Sequence, residues 1–222
     1  MRLRLKHALA AALAFCASGA AREAGAHPHV WVTVETEILF DQHKAITGFK
    51  HKWTFDDMYS SFAIMGLDKN DDGTYDREEL AELAEVNISS LKEFDYFTFP
   101  KVAGKVLGRE PPKDYWLEYN DGKLTLYLTI PLKSPLPQAE VKGFSFHVYD
   151  PTYYVDFGFA KETPVRLGAA PPGCAAVVRD PDPNVGQSKV TTLGETNFDN
   201  LTAANSDAEQ YAKSVIIACP AS

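Results

Sequence analysis

Apolar and polar positions alternate through VWVTVETEILF, residues 30–40, and the run is rich in β-branched residues, so it predicts a strand. Residues 45–55 alternate again and set Phe49, His51, Trp53 and Phe55 on one face of a second strand. Residues 41–44 would close a hairpin between the two. The period then changes. Met58, Phe62 and Met65 recur without a proline through residues 56–67 and predict a helix that leads into an acidic stretch. Residues 77–86 predict the helix that leaves it, with Leu80, Leu83 and Ala84 facing inward. A third short helix is expected over residues 87–97, capped by Asn87 and carrying Leu91 and Phe94 as its apolar positions.

Beyond Phe97 the signals are mostly β. Ala103-Gly104 predicts a short hairpin turn, and Asn120-Asp121-Gly122 a stronger one between strands at 115–119 and 123–130, because these residues tolerate positive φ. Residues 141–149 and 152–159 read as two strands around Asp150-Pro151. The Pro- and Gly-rich stretch 160–173 separates them from a short strand at 174–179. Residues 180–206 read as a long polar loop. Ser206 and Glu209 have capping-box spacing for a short helix to Lys213, and residues 215–219 predict a last strand. The expectation is one α+β domain over residues 27–222, a mostly antiparallel sheet or sandwich with a helical EF-hand insertion at about 56–90.

The first 26 residues stand apart from this pattern. Arg2, Arg4 and Lys6 precede an apolar run from Ala8 to Ala17, too short to span a bilayer but suited to a cleaved export signal. Ala24-Gly25-Ala26 offers a cleavage site that would leave His27 first, in a protein that is periplasmic and soluble after cleavage. The chain carries 22 basic and 30 acidic residues; the leader holds four of the former and one of the latter, so its loss moves the formal charge from −8 to −11. Such an acidic surface argues against nucleic-acid binding and favours cationic ligands. Two cysteines would remain, Cys174 and Cys219, and an oxidising compartment predicts a disulfide between them.

Residues 68–79 match the calcium-loop pattern D-x-[DN]-x-[DN]-G-x5-E at every fixed position. Calcium takes six to eight oxygen ligands. Asp68, Asn70, Asp72 and Glu79 would give side-chain oxygens, Thr74 its carbonyl, and Asp76 an oxygen directly or through water. Gly73 supplies the sharp turn. The eighth position holds Tyr75 and no second loop is visible, so affinity is expected to be weak, about 10⁻⁴ to 10⁻³ M.

His27-Pro-His29 is the second candidate. On an extended chain the two imidazoles point the same way and suit zinc, nickel, cobalt or copper, and a free amine at His27 would add a third nitrogen. His51, His147, Asp150 and Asp156 are the candidates for further ligands. Packed sheet histidines are the simpler explanation of His51 and His147, and a chain terminus that of His27 and His29. No nucleophile elbow, zinc-protease helix, phosphate loop or C-x-x-C motif occurs, so no catalytic residue is assigned.

The segments Ala26-His-Pro-His-Val-Trp31, Trp53-Thr-Phe-Asp-Asp57, the acidic loop and Val148-Tyr-Asp-Pro-Thr-Tyr-Tyr154 together resemble the domain-of-unknown-function 1007 family. The resemblance spans nearly all of residues 27–222. That bacterial family is described as the periplasmic component of an uncharacterised ABC-type transport system and is often encoded beside nickel/cobalt exporters. The resemblance implies a non-enzymatic periplasmic metal-binding accessory to a membrane metal transporter. Two alternatives stand beside it: a calcium-stabilised extracytoplasmic interaction module with inert histidines, and a metalloenzyme built on a histidine brace.

Overall fold

The structure, a computed structural model, describes residues 29–184, 202–204 and 206–220. The expected export signal, His27 and most of the expected 180–206 loop lie outside the described residues. Among the described residues eleven strands form two sheets: β1 Val30–Phe40, β2 Ile46–Phe55, β3 Thr98–Val102, β4 Lys105–Val106, β5 Tyr115–Asn120, β6 Lys123–Leu136, β7 Phe144–Val148, β8 Val155–Phe159, β9 Val165–Gly168, β10 Ala175–Arg179 and β11 Ser214–Ala218. The first sheet runs β5-β6-β2-β1-β8, with β9 paired to the far half of β1; the second runs β10-β11-β7-β3-β4. All pairings are antiparallel except those of β8 and β9 with β1. The mostly antiparallel α+β expectation therefore holds, and β9 is a strand that the sequence pattern hid between Pro164 and Gly168.

The alternation in β1 and β2 sets the inner face. Val30, Val32, Val34 and Ile38 are buried, as are Phe49, Trp53 and Phe55. Across the sandwich Phe49 stacks on Phe144 and meets Phe146 at a tilt, and Trp53 packs against Phe97; within its own sheet Trp53 meets Phe157 of β8 edge-on. Each such side chain contributes about 1.5–3 kcal/mol by leaving water. Two-residue turns close the hairpins as expected: Ala103 and Gly104 both have positive φ, as do Asp121 and Gly122.

The segment between β2 and β3 is helical, but its bounds differ from the expected ones. Helix α1 is only Asp57–Ala63. Asp56 caps it, accepting from the Tyr59 N–H at 2.9 Å with one oxygen and from the Trp31 N–H at 2.9 Å with the other, which ties the helix start to β1. The chain leaves the helix at Ile64 and turns at Gly66, whose φ of +78° is open to glycine without strain. Helix α2, Ala81–Leu91, packs on β5 through the buried Leu80, Ala84 and Ile88. Asn87 does not cap a third helix; it sits inside α2 and donates its side-chain N–H to the Leu83 carbonyl. A 3₁₀ segment, Lys92–Phe97, follows directly.

Within the second half of this 3₁₀ segment Asp95, Tyr96 and Phe97 all adopt positive φ. Arg109 holds this strained run in place, pairing with Asp95 at 2.7 Å and donating to the Thr98 carbonyl. Beside this run, where the Tyr149 N–H donates to the Phe97 carbonyl at 3.1 Å, the chain crosses from β7 to β8, and hence from one sheet to the other, through a corner at 149–154. Asp150 closes that corner. Its Oδ1 accepts from the Thr152 N–H and hydroxyl at 2.7 and 2.8 Å, and its Oδ2 from the Val155 N–H at 2.9 Å.

Candidate calcium loop and histidine sites

The acidic loop is organised by its own backbone. Asp68 accepts from the N–H of Asp72 at 3.2 Å and of Gly73 at 3.0 Å. Asn70 Oδ1 accepts from the Asp72 N–H at 2.9 Å, and its amide donates to Asp72 Oδ2 at 3.0 Å. Asp72 Oδ1 takes both the N–H and the hydroxyl of Thr74, and these hydrogen bonds hold its carboxyl below the usual range. Gly73 turns the chain at φ +78°.

The end of the loop folds back on its beginning. Glu79, only 7% exposed, accepts from the Lys69 N–H at 2.9 Å with Oε1 and from the Asp76 N–H at 3.2 Å with Oε2. Asp76 Oδ1 in turn accepts from the N–H groups of Glu78 and Glu79, so residues 76–79 form a reciprocal capping box that starts the turn into α2. Tyr75 and Arg77 fix the loop to the sheet. Tyr75 meets Tyr119 edge-on at 5.1 Å, and the Arg77 guanidinium lies 4.5 Å from the Trp116 ring.

The candidate ligand side chains of this loop, Asp68, Asn70, Asp72, Asp76 and Glu79, all offer oxygens, which suit a hard cation such as calcium rather than a soft one. Among the described residues no three His, Cys, Asp or Glu side chains form a metal-binding group, and the loop carboxylates rest on N–H groups rather than on one another.

The structure separates the other candidates. His51 is buried between the sheets, with Thr36 Oγ1 at 2.9 Å from Nδ1 and Thr98 Oγ1 at 3.2 Å from Nε2. Both ring nitrogens are engaged, and burial pushes its pKa down to about 3. It reads as a core residue and not as a metal ligand. Asp150 is consumed by the corner it closes, a role its position beside a turn could have signalled. Asp156 lies on β8, opposite Trp31 of β1. His29 donates its backbone N–H to the Tyr154 carbonyl and lays its ring 4.9 Å from that of Tyr154.

His147 takes the opposite face from His51. It follows Phe146, which faces the core, so its side chain leaves the outer side of β7. There it borders an open cleft of ≈ 560 Å³ with Ser206, Asp207, Glu209 and Asp180. Its Nδ1 is buried, makes no hydrogen bond among the described residues, and lies 3.7 Å from Glu209 Oε1. Burial lowers the His147 pKa, Glu209 opposes that shift and Lys101 adds to it. Glu209 is itself paired with Lys101, which is why the expected Ser206–Glu209 capping box does not form. Ser206 instead donates to the Pro151 carbonyl at 2.7 Å and accepts from the Ala208 N–H at 3.1 Å. Sequence reasoning missed Glu209 and Lys101 as partners of His147, since nothing local links residues so far apart.

Cys174 and Cys219 form the expected disulfide, joining the ends of β10 and β11. No helix among the described residues is long and apolar enough to cross a membrane.

The sequence model of a protein family of unknown function, DUF1007, matches residues 11–219. The chain belongs to this family. An uncharacterised protein of Haemophilus influenzae is 27% identical over 194 residues, covering 87% of this chain and 91% of its own length. An uncharacterised 15.5 kDa protein encoded in the trpE 3′ region of Spirochaeta aurantia is 29% identical over 122 residues, 55% of this DUF1007 chain and 86% of the relative.

Proposed function

We propose that this DUF1007 protein is a non-enzymatic, extracytoplasmic metal-binding accessory in which a calcium ion held by residues 68–79 braces the helical insertion on the sandwich. The observation that carries this reading is the closure of Glu79 onto the Lys69 N–H, with Asp68, Asn70 and Asp72 turned onto loop N–H groups around Gly73. Asp68, Asn70, Asp72 and Glu79 would hold the ion through side chains, Thr74 through its carbonyl, and Asp76 directly or through water. A bound divalent cation relieves the mutual repulsion of these carboxylates. An unpaired loop of this type acts as a structural brace, not a sensor, with a Kd of about 10⁻⁴ to 10⁻³ M. The setting outside the cytosol rests on the leader-like residues 1–26 and agrees with the Cys174–Cys219 disulfide. Equilibrium dialysis against radioactive calcium tests the reading. One ion per chain, lost in Asp68→Ala with Glu79→Ala, supports it; no uptake at millimolar calcium refutes it.

A second reading adds transition-metal handling for a membrane transporter. It is favoured by the buried Nδ1 of His147, without a hydrogen bond among the described residues and 3.7 Å from Glu209. An imidazole and a carboxylate suit zinc, nickel, cobalt or copper, although a metal there has to displace Lys101 from Glu209. Metal analysis after loading with each ion separates this from the amino-terminal alternative. Loss in His147→Ala assigns the cleft, and loss in His27→Ala with His29→Ala assigns the terminus. Calcium as the only ion retained removes the second reading.

A further inference from the structure

Helix α1 buries one side and leaves a stripe of large apolar residues on the other. Ser60 and Ile64 are buried, while Met58, Phe62 and Met65 are 69%, 73% and 71% exposed. Met58 and Phe62, four residues apart, share one face of α1, and Met65 follows in the turn that ends it, its N–H donating to the Phe62 carbonyl at 3.3 Å. Scattered apolar residues on a surface are ordinary, but three large exposed ones within residues 58–65 mark a docking face. Methionine side chains are unbranched and adapt to varied partners, and Phe62 supplies a rigid anchor.

Charge decides what fits this face. Residues 56–91, which hold α1, the acidic loop and α2, contain ten acidic and two basic residues, a formal charge of −8 that equals that of the whole chain. A bound divalent cation would leave the lobe strongly negative. Two such lobes repel each other, which disfavours a second copy as occupant, and anionic lipid headgroups are repelled as well. A segment carrying apolar residues at helical spacing and lysines or arginines around them meets both requirements. We propose that Met58, Phe62 and Met65 form the docking stripe for a basic amphipathic helix of a partner protein. The proposal stands independently of the calcium reading, because the lobe is acidic and the stripe exposed in either case.

The test is fluorescence anisotropy of the purified protein with a labelled peptide of leucine and lysine whose leucines line one helical face. A second peptide of the same composition has its leucines dispersed around the helix. The expected result is preference for the amphipathic peptide, weakened by at least about tenfold in Met58→Ser/Phe62→Ser/Met65→Ser. Met58→Leu with Met65→Leu keeps the stripe apolar and is expected to retain binding, which guards against a variant that merely misfolds. Equal binding of both peptides, or equal binding by the serine variant and the native protein, overturns the proposal in favour of charge alone. Self-association that the serine variant abolishes, without peptide binding, overturns it in favour of a second copy. Vesicle binding that the serine variant abolishes, again without peptide binding, overturns it in favour of a lipid surface.

Discussion

Glu79 reaches back across the acidic loop to the backbone of Lys69, 2.9 Å from Oε1 to N, so the last residue of the twelve-residue motif closes on the second. The same carboxylate accepts from Asp76 through its other oxygen. Glu79→Gln keeps one acceptor oxygen but removes the charge and the bidentate chelate. Calcium affinity is expected to fall by more than about tenfold, since an uncharged amide cannot replace a bidentate carboxylate. Stability without calcium should also fall, by about 1–3 kcal/mol, because the amide nitrogen cannot accept from the backbone N–H it then faces. Calorimetric titration of the variant measures the first, and melting in chelator the second. Unchanged affinity would mean that Glu79 serves only the capping box with Asp76.

Arg77 links the loop to the outer face of the sheet. Its guanidinium covers Trp116, whose indole N–H donates to Glu118 at 2.8 Å and whose ring stacks on Tyr127. Arg77→Ala is expected to cost about 0.5–1 kcal/mol from the lost cation–π contact, with little more from the exposed Arg77–Glu118 pair. Denaturant unfolding measures the cost. Trp116 fluorescence should shift in this variant, and an unchanged spectrum and midpoint would show the contact to be energetically empty.

His51 makes stability depend on pH. Its folded pKa, about 3, lies far below its unfolded value because burial disfavours the imidazolium. Below an unfolded pKa of about 6.5 the unfolded chain therefore binds a proton that the folded chain refuses, and stability rises with pH across this window. The slope from this residue is about 1.4 kcal/mol per pH unit between about 5.5 and the folded value, and vanishes above about 7. His147 adds a contribution of the same sign, since its pKa is also lowered. Urea unfolding from pH 4 to 8 should show a shallower dependence in His51→Asn than in the native chain. Parallel curves would contradict a neutral buried imidazole.

Reduction of Cys174–Cys219 frees the ends of β10 and β11, which are 45 residues apart along the chain. The expected loss is about 2–4 kcal/mol. Melting with and without reductant measures it, with Cys174→Ala/Cys219→Ala as the reference that reductant should not affect.

Period and turn chemistry made much of the sandwich legible. The alternation of residues 30–40 and 45–55 marked β1 and β2, and Asn120-Asp121-Gly122 marked the β5–β6 turn, because both signals are local. The ends of α1 were harder to read. Met58, Phe62 and Met65 suggested a helix that extends to Leu67, whereas it stops at Ala63, before Gly66, and the three side chains are exposed. Asn87 has the chemistry of a cap but lies mid-helix, where its amide bonds back to Leu83. The acidic loop announced itself through residue spacing alone. The histidines could not do so. His51 and His147 both lie on strands, and only the pairing of distant strands decides that one faces Thr36 and Thr98 in the core while the other faces Glu209 outside.

The most direct test of the calcium brace is melting of the purified protein in millimolar calcium and in excess chelator. With free calcium at about ten to a hundred times Kd, binding to the folded state adds about 1.4–2.7 kcal/mol, a rise in Tm of roughly 3–10 °C. The expected result is that rise in the native chain and none in Asp68→Ala with Glu79→Ala. Identical melting of the native chain in calcium and in chelator would contradict it.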